Sequence, residues 1–309
     1  MVKTMGECDR SLLLNTPLLE LVKRANEIRR RYTQNKLELC SIINAKSGLC
    51  SEDCKFCAQS MRYSTNISSY PLMDKEAIVN AAKRAKEIGG EKFSIVTSGK
   101  KLSSKELDKV ALAVSEIKNS VGIDVCASLG GLNKDELETL KAAGLKRYHH
   151  NIETSSRFYP NIVTTHSFSE RLRTIRIAKS VGLEVCSGGI IGMGESWEDR
   201  IDMALLLKEL DVDSIPINFL VPIKGTPLEA TPLISCKEAI KTIAIFRIIL
   251  KDKIIKIAAG RESILKDFQG MGFMAGANGM LIGGYLTIKG RPVEADYTLI
   301  REVKKMWEE

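Results

Sequence analysis

Short apolar runs and longer amphipathic segments alternate along most of the chain. In segment 74–88 the apolar residues recur every three or four positions, the spacing that places them on one face of a helix. Most of the short runs contain Val, Ile or Leu, as do parallel strands that are buried on both faces. They predict eight strands, at 36–44, 92–97, 122–128, 146–151, 184–190, 213–218, 254–259 and 279–283.

Eight strand–helix repeats in about 250 residues match an α/β (β/α)8 TIM-type barrel. A helix is predicted before the barrel at about 11–32, and another after it at about 293–308. Because no linker or low-complexity run separates the repeats, residues 1–309 are predicted to form one domain, with the barrel at about 36–290. A six-stranded open barrel with smaller closing elements is the alternative. In either form the active site belongs at the carboxyl ends of the strands.

Composition and charge are those of an ordinary globular protein. The 309 residues are 44% hydrophobic and 27% charged, with a formal net charge of +8. Lys and Arg are interleaved with acids along the predicted helices, so a solvated surface is favoured over nucleic-acid binding. The chain opens without an apolar signal region, and no apolar run is long enough to span a bilayer. We therefore expect a cytoplasmic protein, with neither a membrane nor a nucleic acid as partner.

Three cysteines follow the first predicted strand, in the sequence Cys50-Ser-Glu-Asp-Cys54-Lys-Phe-Cys57. Three thiolates at this spacing can hold three irons of a [4Fe-4S] cluster and leave the fourth iron open to a ligand. A structural zinc site normally takes four ligands in two separated pairs, and no second such pair occurs. Disulfides are atypical of a chain that lacks a secretion signal. The loop therefore favours an iron–sulfur reaction centre over both alternatives.

Three further cysteines occupy matching positions on predicted strands one, three and five. Alternate strands of a barrel contribute side chains to the same interior layer, so the match favours a second metal or cluster site, with Lys256 of strand seven nearby as a cation. The alternative is that each cysteine is a small buried apolar residue. An acid stands two residues before each cysteine and therefore on the same strand face, so the acids must lie near the opposite barrel mouth or the strands must shift register. The three patterns are Leu37-Glu-Leu-Cys40, Ile123-Asp-Val-Cys126 and Leu183-Glu-Val-Cys186.

Polar residues end two of the predicted strands. Asn151 ends strand four, Glu153 follows two residues later, and Asn218 ends strand six. Amides and a carboxylate at the reactive edge suit ribose hydroxyls or a urea-like group, although strand-end polar residues also serve as caps. Arg171 can pair with a carboxylate, and a surface salt bridge is the alternative for it.

The segment from residue 188 to residue 195 is rich in glycine and follows strand five. It has neither a correctly placed GxGxxG nor a Walker lysine, so phosphate binding is not indicated. Glycines let the backbone approach a flat ring closely, and we predict that Gly189 and Ile190 border a bound adenine. A tight strand-to-helix turn is the alternative.

The cysteine loop, with the aromatic Phe56 before the third cysteine, resembles the signature of the radical S-adenosylmethionine enzymes. Further segments across residues 36–288 resemble the biotin synthases. They are Tyr148-His-His-Asn-Ile-Glu-Thr, Val185-Cys-Ser-Gly-Gly-Ile-Ile-Gly-Met-Gly-Glu, Pro216-Ile-Asn, Lys224-Gly-Thr-Pro-Leu, Ala259-Gly-Arg-Glu and Phe273-Met-Ala-Gly-Ala-Asn.

The resemblance implies a homodimeric barrel that converts dethiobiotin to biotin. A reduced [4Fe-4S] cluster cleaves S-adenosylmethionine, the resulting 5′-deoxyadenosyl radical takes hydrogen from dethiobiotin, and an auxiliary iron–sulfur cluster supplies sulfur. An electron donor such as flavodoxin or ferredoxin is implied as a partner. By position, the [4Fe-4S] ligands are Cys50, Cys54 and Cys57, the residues contacting S-adenosylmethionine are Asn151, Glu153 and Arg171, and those contacting substrate are Asn151 and Asn218.

The auxiliary site departs from the family pattern. Known members hold a [2Fe-2S] cluster with three cysteines and an arginine, and only Cys126 and Cys186 match two of these cysteines. Ser94 stands at the third cysteine position, Lys256 stands at the arginine position, and Cys40 replaces a serine. We therefore expect Cys40, Cys126 and Cys186 to bind a rearranged cluster, which can be a four-iron form. The alternatives for the whole chain are another radical enzyme, such as a hydrogenase maturase, or an iron–sulfur protein without catalytic activity.

Overall fold

Parallel strands and their connecting helices make up most of the structure, a computed structural model that describes residues 6–284 and 290–308. The strands are β1 (Glu38–Lys46), β2 (Lys92–Thr97), β3 (Asp124–Ser128), β4 (Arg147–His149), β5 (Glu184–Cys186), β6 (Gly189–Ile191), β7 (Ser214–Phe219), β8 (Ile254–Ile257) and β9 (Gly279–Leu281). The helices are α1 (Glu7–Asn15), α2 (Leu18–Thr33), α3 (Lys75–Glu87), α4 (Ser104–Glu116), α5 (Lys134–Ala143), α6 (Phe168–Ser180), α7 (Trp197–Glu209), α8 (Cys236–Leu250), α9 (Arg261–Ile264), α10 (Gln269–Met274) and α11 (Val293–Glu308).

The strands form one closed parallel barrel. Neighbouring strands run from β5 through β4, β3, β2 and β1 to β9, β8, β7 and β6, and Cys186 of β5 pairs with Ser214 of β7. Because β5 and β6 are two parts of the same barrel strand, the ring has the strand number of a (β/α)8 barrel. The predicted TIM-type fold is confirmed, and the open-barrel alternative is wrong.

The fifth barrel strand is interrupted, whereas the sequence predicts one strand at 184–190. Pro216 of the neighbouring β7 has no N–H and cannot extend the ladder there. Its carbonyl oxygen lies 2.0 Å from the point where a Cβ on Gly188 would stand. On the other side of the strand, the Gly188 N–H donates to the Asn151 side chain at 3.1 Å. The interrupted segment therefore supplies a backbone N–H to the side chain of a predicted site residue.

The amino-terminal segment forms two helices, whereas the sequence predicts one at 11–32. Helix α1 ends before Thr16, and Pro17 caps the start of α2. Proline disfavours helical backbone at the residue before it and lacks the N–H that an uninterrupted helix needs, so the break falls there. Arg29 of α2 is buried, and its guanidinium lies 3.8 Å from the ring centroid of Trp307 in α11. Helix α11 occupies the residues predicted for the helix after the barrel.

The main hydrophobic core lies between the barrel and its surrounding helices. Buried Ile, Val, Leu and Ala residues from the strands pack against the inward faces of α3 to α8. The inside of the barrel contains many polar groups and holds a cavity (next section). Within residues 6–284 and 290–308, no helix combines the length and the apolar character needed to cross a bilayer.

Candidate active site

The three cysteines of the loop after β1 are held at the carboxyl end of the barrel by backbone hydrogen bonds. The Cys50 N–H donates to the Gln59 carbonyl at 3.0 Å, and the Cys50 carbonyl accepts from the Met61 N–H at 2.8 Å. The Cys57 N–H donates to the Cys54 carbonyl at 2.9 Å. Cys54 is buried and the other two cysteines are half-buried. One compact loop therefore presents all three thiols.

The loop is fixed to the segment between β4 and α6. The Asp53 carboxylate accepts the backbone N–H groups of Thr164 (2.9 Å) and Thr165 (3.1 Å), and the Lys55 N–H donates to the Ile162 carbonyl (3.0 Å). Burial opposes the charge on Asp53, yet these hydrogen bonds lower its pKa. The position of the loop is therefore tied to the residues that follow β4.

Burial also sets the acidity of the loop thiols. It raises the pKa of Cys54 and raises that of Cys57 to about 11, with neighbouring thiols adding to the effect. A bound metal deprotonates its thiol ligands, so these thiols need a cation to become thiolates. In the described part of the chain no three His, Cys, Asp or Glu side chains converge on a single metal ion. A multi-iron cluster takes thiolates that are set further apart, and the loop's donor set fits it.

Asn151, Glu153 and Arg171 meet next to the cysteine loop. The Arg171 side chain is 11% exposed, and its guanidinium donates to the Asn151 carbonyl at 2.9 Å and lies 3.5 Å from the Glu153 carboxylate. The Asn151 amide donates to Glu153 at 3.3 Å. Burial raises the pKa of Glu153 although Arg171 opposes this. The three groups form a largely buried polar wall, and Arg171 is not in the surface salt bridge that was its alternative.

Asn218 lines the inner cavity together with Asn151 and Glu153. Its amide donates to the Gly189 carbonyl at 3.1 Å, and its side-chain oxygen accepts the Ala259 N–H at 3.2 Å. These bonds hold the amide at the end of β7. The two asparagines predicted to contact substrate therefore border one cavity.

The glycines of segment 188–195 allow a close backbone contact at the strand break and a tight turn before α7. A Cβ on Gly189 would lie 2.2 Å from the Glu153 carbonyl oxygen, so the missing side chain allows two backbones to meet. Gly192 has a φ of +99°, and the Glu195 carboxylate accepts its N–H at 2.9 Å. These residues form the tight strand-to-helix turn that was the alternative for this segment. Ile190 lines the cavity. Contact of Gly189 and Ile190 with a cofactor stays a prediction.

Cys40, Cys126 and Cys186 line one inner chamber of about 360 Å³. The Lys256 ammonium lies 2.8 Å from the Cys40 sulfur. Ser94 borders the same chamber, and its hydroxyl has no hydrogen-bond partner among the described residues. The structure thus brings together the three strand cysteines, the lysine and the serine that the sequence singles out.

The chamber thiols differ in acidity. Burial raises the pKa of Cys40 and raises that of Cys126 to about 12. Burial acts on Cys186 too, but the neighbouring His149 and Lys256 outweigh it and lower the pKa of Cys186 to about 6. Buried thiols beside fixed cations match the donor set and charge of an anionic iron–sulfur group.

The acids that precede the cysteines form a charged floor at the barrel mouth opposite the loops. This arrangement is the first of the two predicted for them, and it requires no register shift. Sequence reasoning missed the cations Lys92 and Arg147, whose only signal is a charge at the start of an apolar strand. The ion pairs of the three acids are Glu38 with Arg147 (2.5 Å) and Lys256 (2.6 Å), Asp124 with Lys92 (2.9 Å), and Glu184 with Arg147 (2.8 Å).

Comparison with known proteins agrees with this geometry. The profile of the Radical SAM superfamily matches residues 46–207, and that of the Biotin and Thiamin Synthesis associated domain matches residues 216–304. The chain is therefore a radical S-adenosylmethionine enzyme by class. It is 56% identical to the biotin synthase of Thermotoga neapolitana over 273 residues, covering 88% of this chain and 98% of the relative. It is 50% identical to that of Aquifex aeolicus over 286 residues, covering 92% and 86%. The chain belongs to the biotin synthase family.

Solved structures share the fold at low sequence identity. Methylornithine synthase superposes with a TM-score of 0.84 at 21% identity, covering 99% of this chain and 94% of the other. The FeFe-hydrogenase maturase HydG from Carboxydothermus hydrogenoformans superposes with a TM-score of 0.80 at 18% identity, covering 95% and 73%. These likenesses bear on the barrel alone.

Proposed function

We propose that this radical S-adenosylmethionine sulfurtransferase forms biotin from dethiobiotin with the residues of two adjoining cavities. A mouth cavity of about 790 Å³ is bordered by the cysteine loop and Arg171, and the inner chamber contains the strand cysteines. His149, Asn151 and Glu153 line both cavities. This shared wall is the observation that carries the proposal, because a substrate beside it faces the radical source on one side and the sulfur source on the other.

Cys50, Cys54 and Cys57 hold the [4Fe-4S] cluster. When bound, this cluster supplies the electron that cleaves S-adenosylmethionine and so provides the radical that removes hydrogen from dethiobiotin. Asn151, Glu153 and Arg171 bind and orient S-adenosylmethionine, and the amides of Asn151 and Asn218 bind the substrate. Membership of the family and the convergence of these residues support the assignment.

Apolar side chains complete the walls of the inner chamber. Phe56, Ile190 and Leu220 border it together with the substrate amides. Apolar walls exclude water from a site in which a reactive radical is formed, which limits side reactions. These residues thus complement the polar wall, which positions the reacting molecules.

Cys40, Cys126 and Cys186 hold the auxiliary cluster, and Ser94 does not replace the missing family cysteine. Three thiolates suit a four-iron cluster whose last iron carries a non-protein ligand. Lys256 and Arg147 lie at the chamber and offset negative charge on such a group. The serine-to-cysteine exchange at Cys40, beside Lys256, supports this ligand set.

Mössbauer spectra and iron and sulfide analysis test the auxiliary ligands. We expect reconstituted Cys40→Ala to lose the auxiliary signal and keep that of the radical cluster. Ser94→Ala, the matched control on the neighbouring strand, keeps both signals. An unchanged auxiliary signal in Cys40→Ala would contradict the ligand set.

Anaerobic turnover with dithionite, S-adenosylmethionine and dethiobiotin tests the reaction itself. Biotin formation supports the proposal. Deoxyadenosine without biotin would point to another radical enzyme, and formation of neither product would point to a protein without catalytic activity.

The family resemblance also supports a proposal for the oligomeric state, the location and the electron donor of the enzyme. We infer a homodimer of single-domain chains in the cytoplasm, reduced by a flavodoxin or a ferredoxin. Light scattering of the purified protein tests the dimer, and replacement of dithionite by each reduced carrier tests the electron donor. A monomer would contradict the dimer. Biotin formation with dithionite but with neither reduced carrier would contradict the proposed electron donors.

A further inference from the structure

His166 stands between the cysteine loop and Arg171, and nothing above assigns it a role. Its Nδ1 lies 2.5 Å from a carboxylate oxygen of Glu52, and its Nε2 lies 3.0 Å from Nη2 of Arg171. The side chains of Glu52 and His166 are 9% and 10% exposed, so both contacts are shielded from solvent. Glu52 lies within the loop, between Cys50 and Cys54.

The chemistry of the partners fixes the direction of both hydrogen bonds. A guanidinium only donates, so Nε2 of His166 must accept from Arg171. The proton of the neutral ring is then on Nδ1, which donates to Glu52. Burial and Arg171 lower the pKa of His166, in agreement with a neutral ring. Thr165 also donates to the bonded Glu52 oxygen, at 2.8 Å, and helps to hold the carboxylate.

Arg171 has a separate partner on each of its nitrogens. Nε donates to the Tyr159 hydroxyl at 2.8 Å, and Nη1 donates to the Asn151 carbonyl at 2.9 Å. Nη2 donates to His166. Tyr159, Asn151 and His166 all belong to the segment between β4 and α6, and His166 also connects the guanidinium to the cysteine loop through Glu52.

We propose that Glu52 and His166 are positioning residues that orient Arg171 and make the binding of S-adenosylmethionine depend on the folded cysteine loop. This inference rests on the proposed role of Arg171. When the loop is held in place, Glu52 fixes the His166 ring, and the ring in turn fixes Nη2. A displaced loop removes Glu52 and leaves the guanidinium free to turn about its other two contacts.

The test is titration of S-adenosylmethionine into the reconstituted, reduced protein, followed by the electron paramagnetic resonance signal of the radical cluster. His166→Phe keeps the ring volume and loses both hydrogen bonds. We expect the half-saturating concentration to rise about 10- to 100-fold, since hydrogen bonds to charged groups are worth that much. In turnover KM rises correspondingly, and kcat at saturation stays within about threefold.

Two matched variants separate positioning from general support of the loop. His166→Gln keeps a donor and an acceptor, and we expect it to restore the titration to within about threefold of wild type. Thr164→Val removes a hydroxyl that donates to Asp53 but keeps the backbone N–H bonds that hold the loop, and it leaves the His166 contacts intact, so it titrates as wild type does. Titrations are compared at equal iron content, with His166→Leu as a second variant if the Phe side chain disturbs folding.

A wild-type titration in the Phe and Leu variants would overturn the proposal. Equal weakening in the Phe, Gln and Thr164→Val variants would do the same, because it indicates only loss of loop support. If the wild type itself gives no response to S-adenosylmethionine while its cluster is intact, the proposed function fails, an outcome distinct from failure of His166 alone.

Discussion

Replacing Glu38 by Gln removes the central negative charge of the barrel floor while keeping the side chain's shape. The Glu38 carboxylate is 2.6 Å from Lys256 and 2.5 Å from Arg147, and its side chain is 11% exposed. The substitution therefore leaves two buried cations with less negative charge around them. We expect a lower free energy of unfolding.

Two routes give the magnitude. Burial alone would raise the pKa of Glu38, yet Lys256 and Arg147 lower it from 4.5 to about 2. A pKa difference of this size corresponds to about 3 kcal/mol of stabilisation. Removing one partner of a buried ion pair costs about 3–5 kcal/mol. Both routes predict a loss of about 3 kcal/mol at pH 7.

The matched control is Asp124→Asn, because Asp124 also precedes a strand cysteine by two residues. Its side chain is 53% exposed and pairs with Lys92 at 2.9 Å, so we expect a loss of less than about 1 kcal/mol. Urea unfolding of protein with reduced thiols, followed by circular dichroism, measures both losses. A Glu38→Gln variant no less stable than Asp124→Asn would refute the reasoning.

The lowered pKa of Glu38 also predicts how the stability difference between wild type and Glu38→Gln depends on pH. Because the pKa of Glu38 is lowered in the folded state, its contribution is fully present above about pH 4.5, the value of the unfolded chain. It is lost as the pH falls from there through about 2. The stability difference between wild type and Glu38→Gln therefore stays constant from pH 8 to pH 5 and shrinks below that range. A difference that persists undiminished at the lowest pH would contradict the assignment.

Two further substitutions test the packing that places the site. Gly188→Ala brings a Cβ within 2.0 Å of a carbonyl oxygen of the next strand, so we expect a stability loss of about 2–3 kcal/mol by thermal unfolding, whereas Gly6→Ala, with nothing within 4 Å, is close to neutral. Equal melting temperatures would argue against the close approach. Arg29→Lys loses a buried stack on Trp307 and should cost about 2 kcal/mol in urea unfolding, whereas the exposed Arg31→Lys costs less than about 0.5 kcal/mol. Equal costs would contradict the stacking.

The barrel could be predicted from the sequence because each strand and helix carries its own local pattern. The break in the fifth strand could not, because its cause is Pro216 on a different strand. Pro17 was a visible signal for the break between α1 and α2, but the helical periodicity on both sides of it concealed the two helices. Local patterns predict which elements form, whereas interruptions depend on neighbours in space as well as on local residues.

The residues of the candidate site also divide into those that the sequence could identify and those that it could not. Cys40, Cys126 and Cys186 could be grouped because equivalent positions on alternate strands share an interior layer, and the structure brings them together. Arg147 could not be identified, because a lone charge at a strand start normally faces solvent and its burial here depends on cross-strand acids. His166 could not be identified either, since its partner Glu52 lies 114 positions away in sequence.

Electron paramagnetic resonance of the reduced, reconstituted protein tests the central claim most directly, namely that the cysteine loop holds a cluster with one iron open to S-adenosylmethionine. We predict that adding this compound changes the cluster signal in the wild type, and that Cys54→Ala loses both the signal and the change. A wild-type spectrum that is identical with and without the compound would contradict the account.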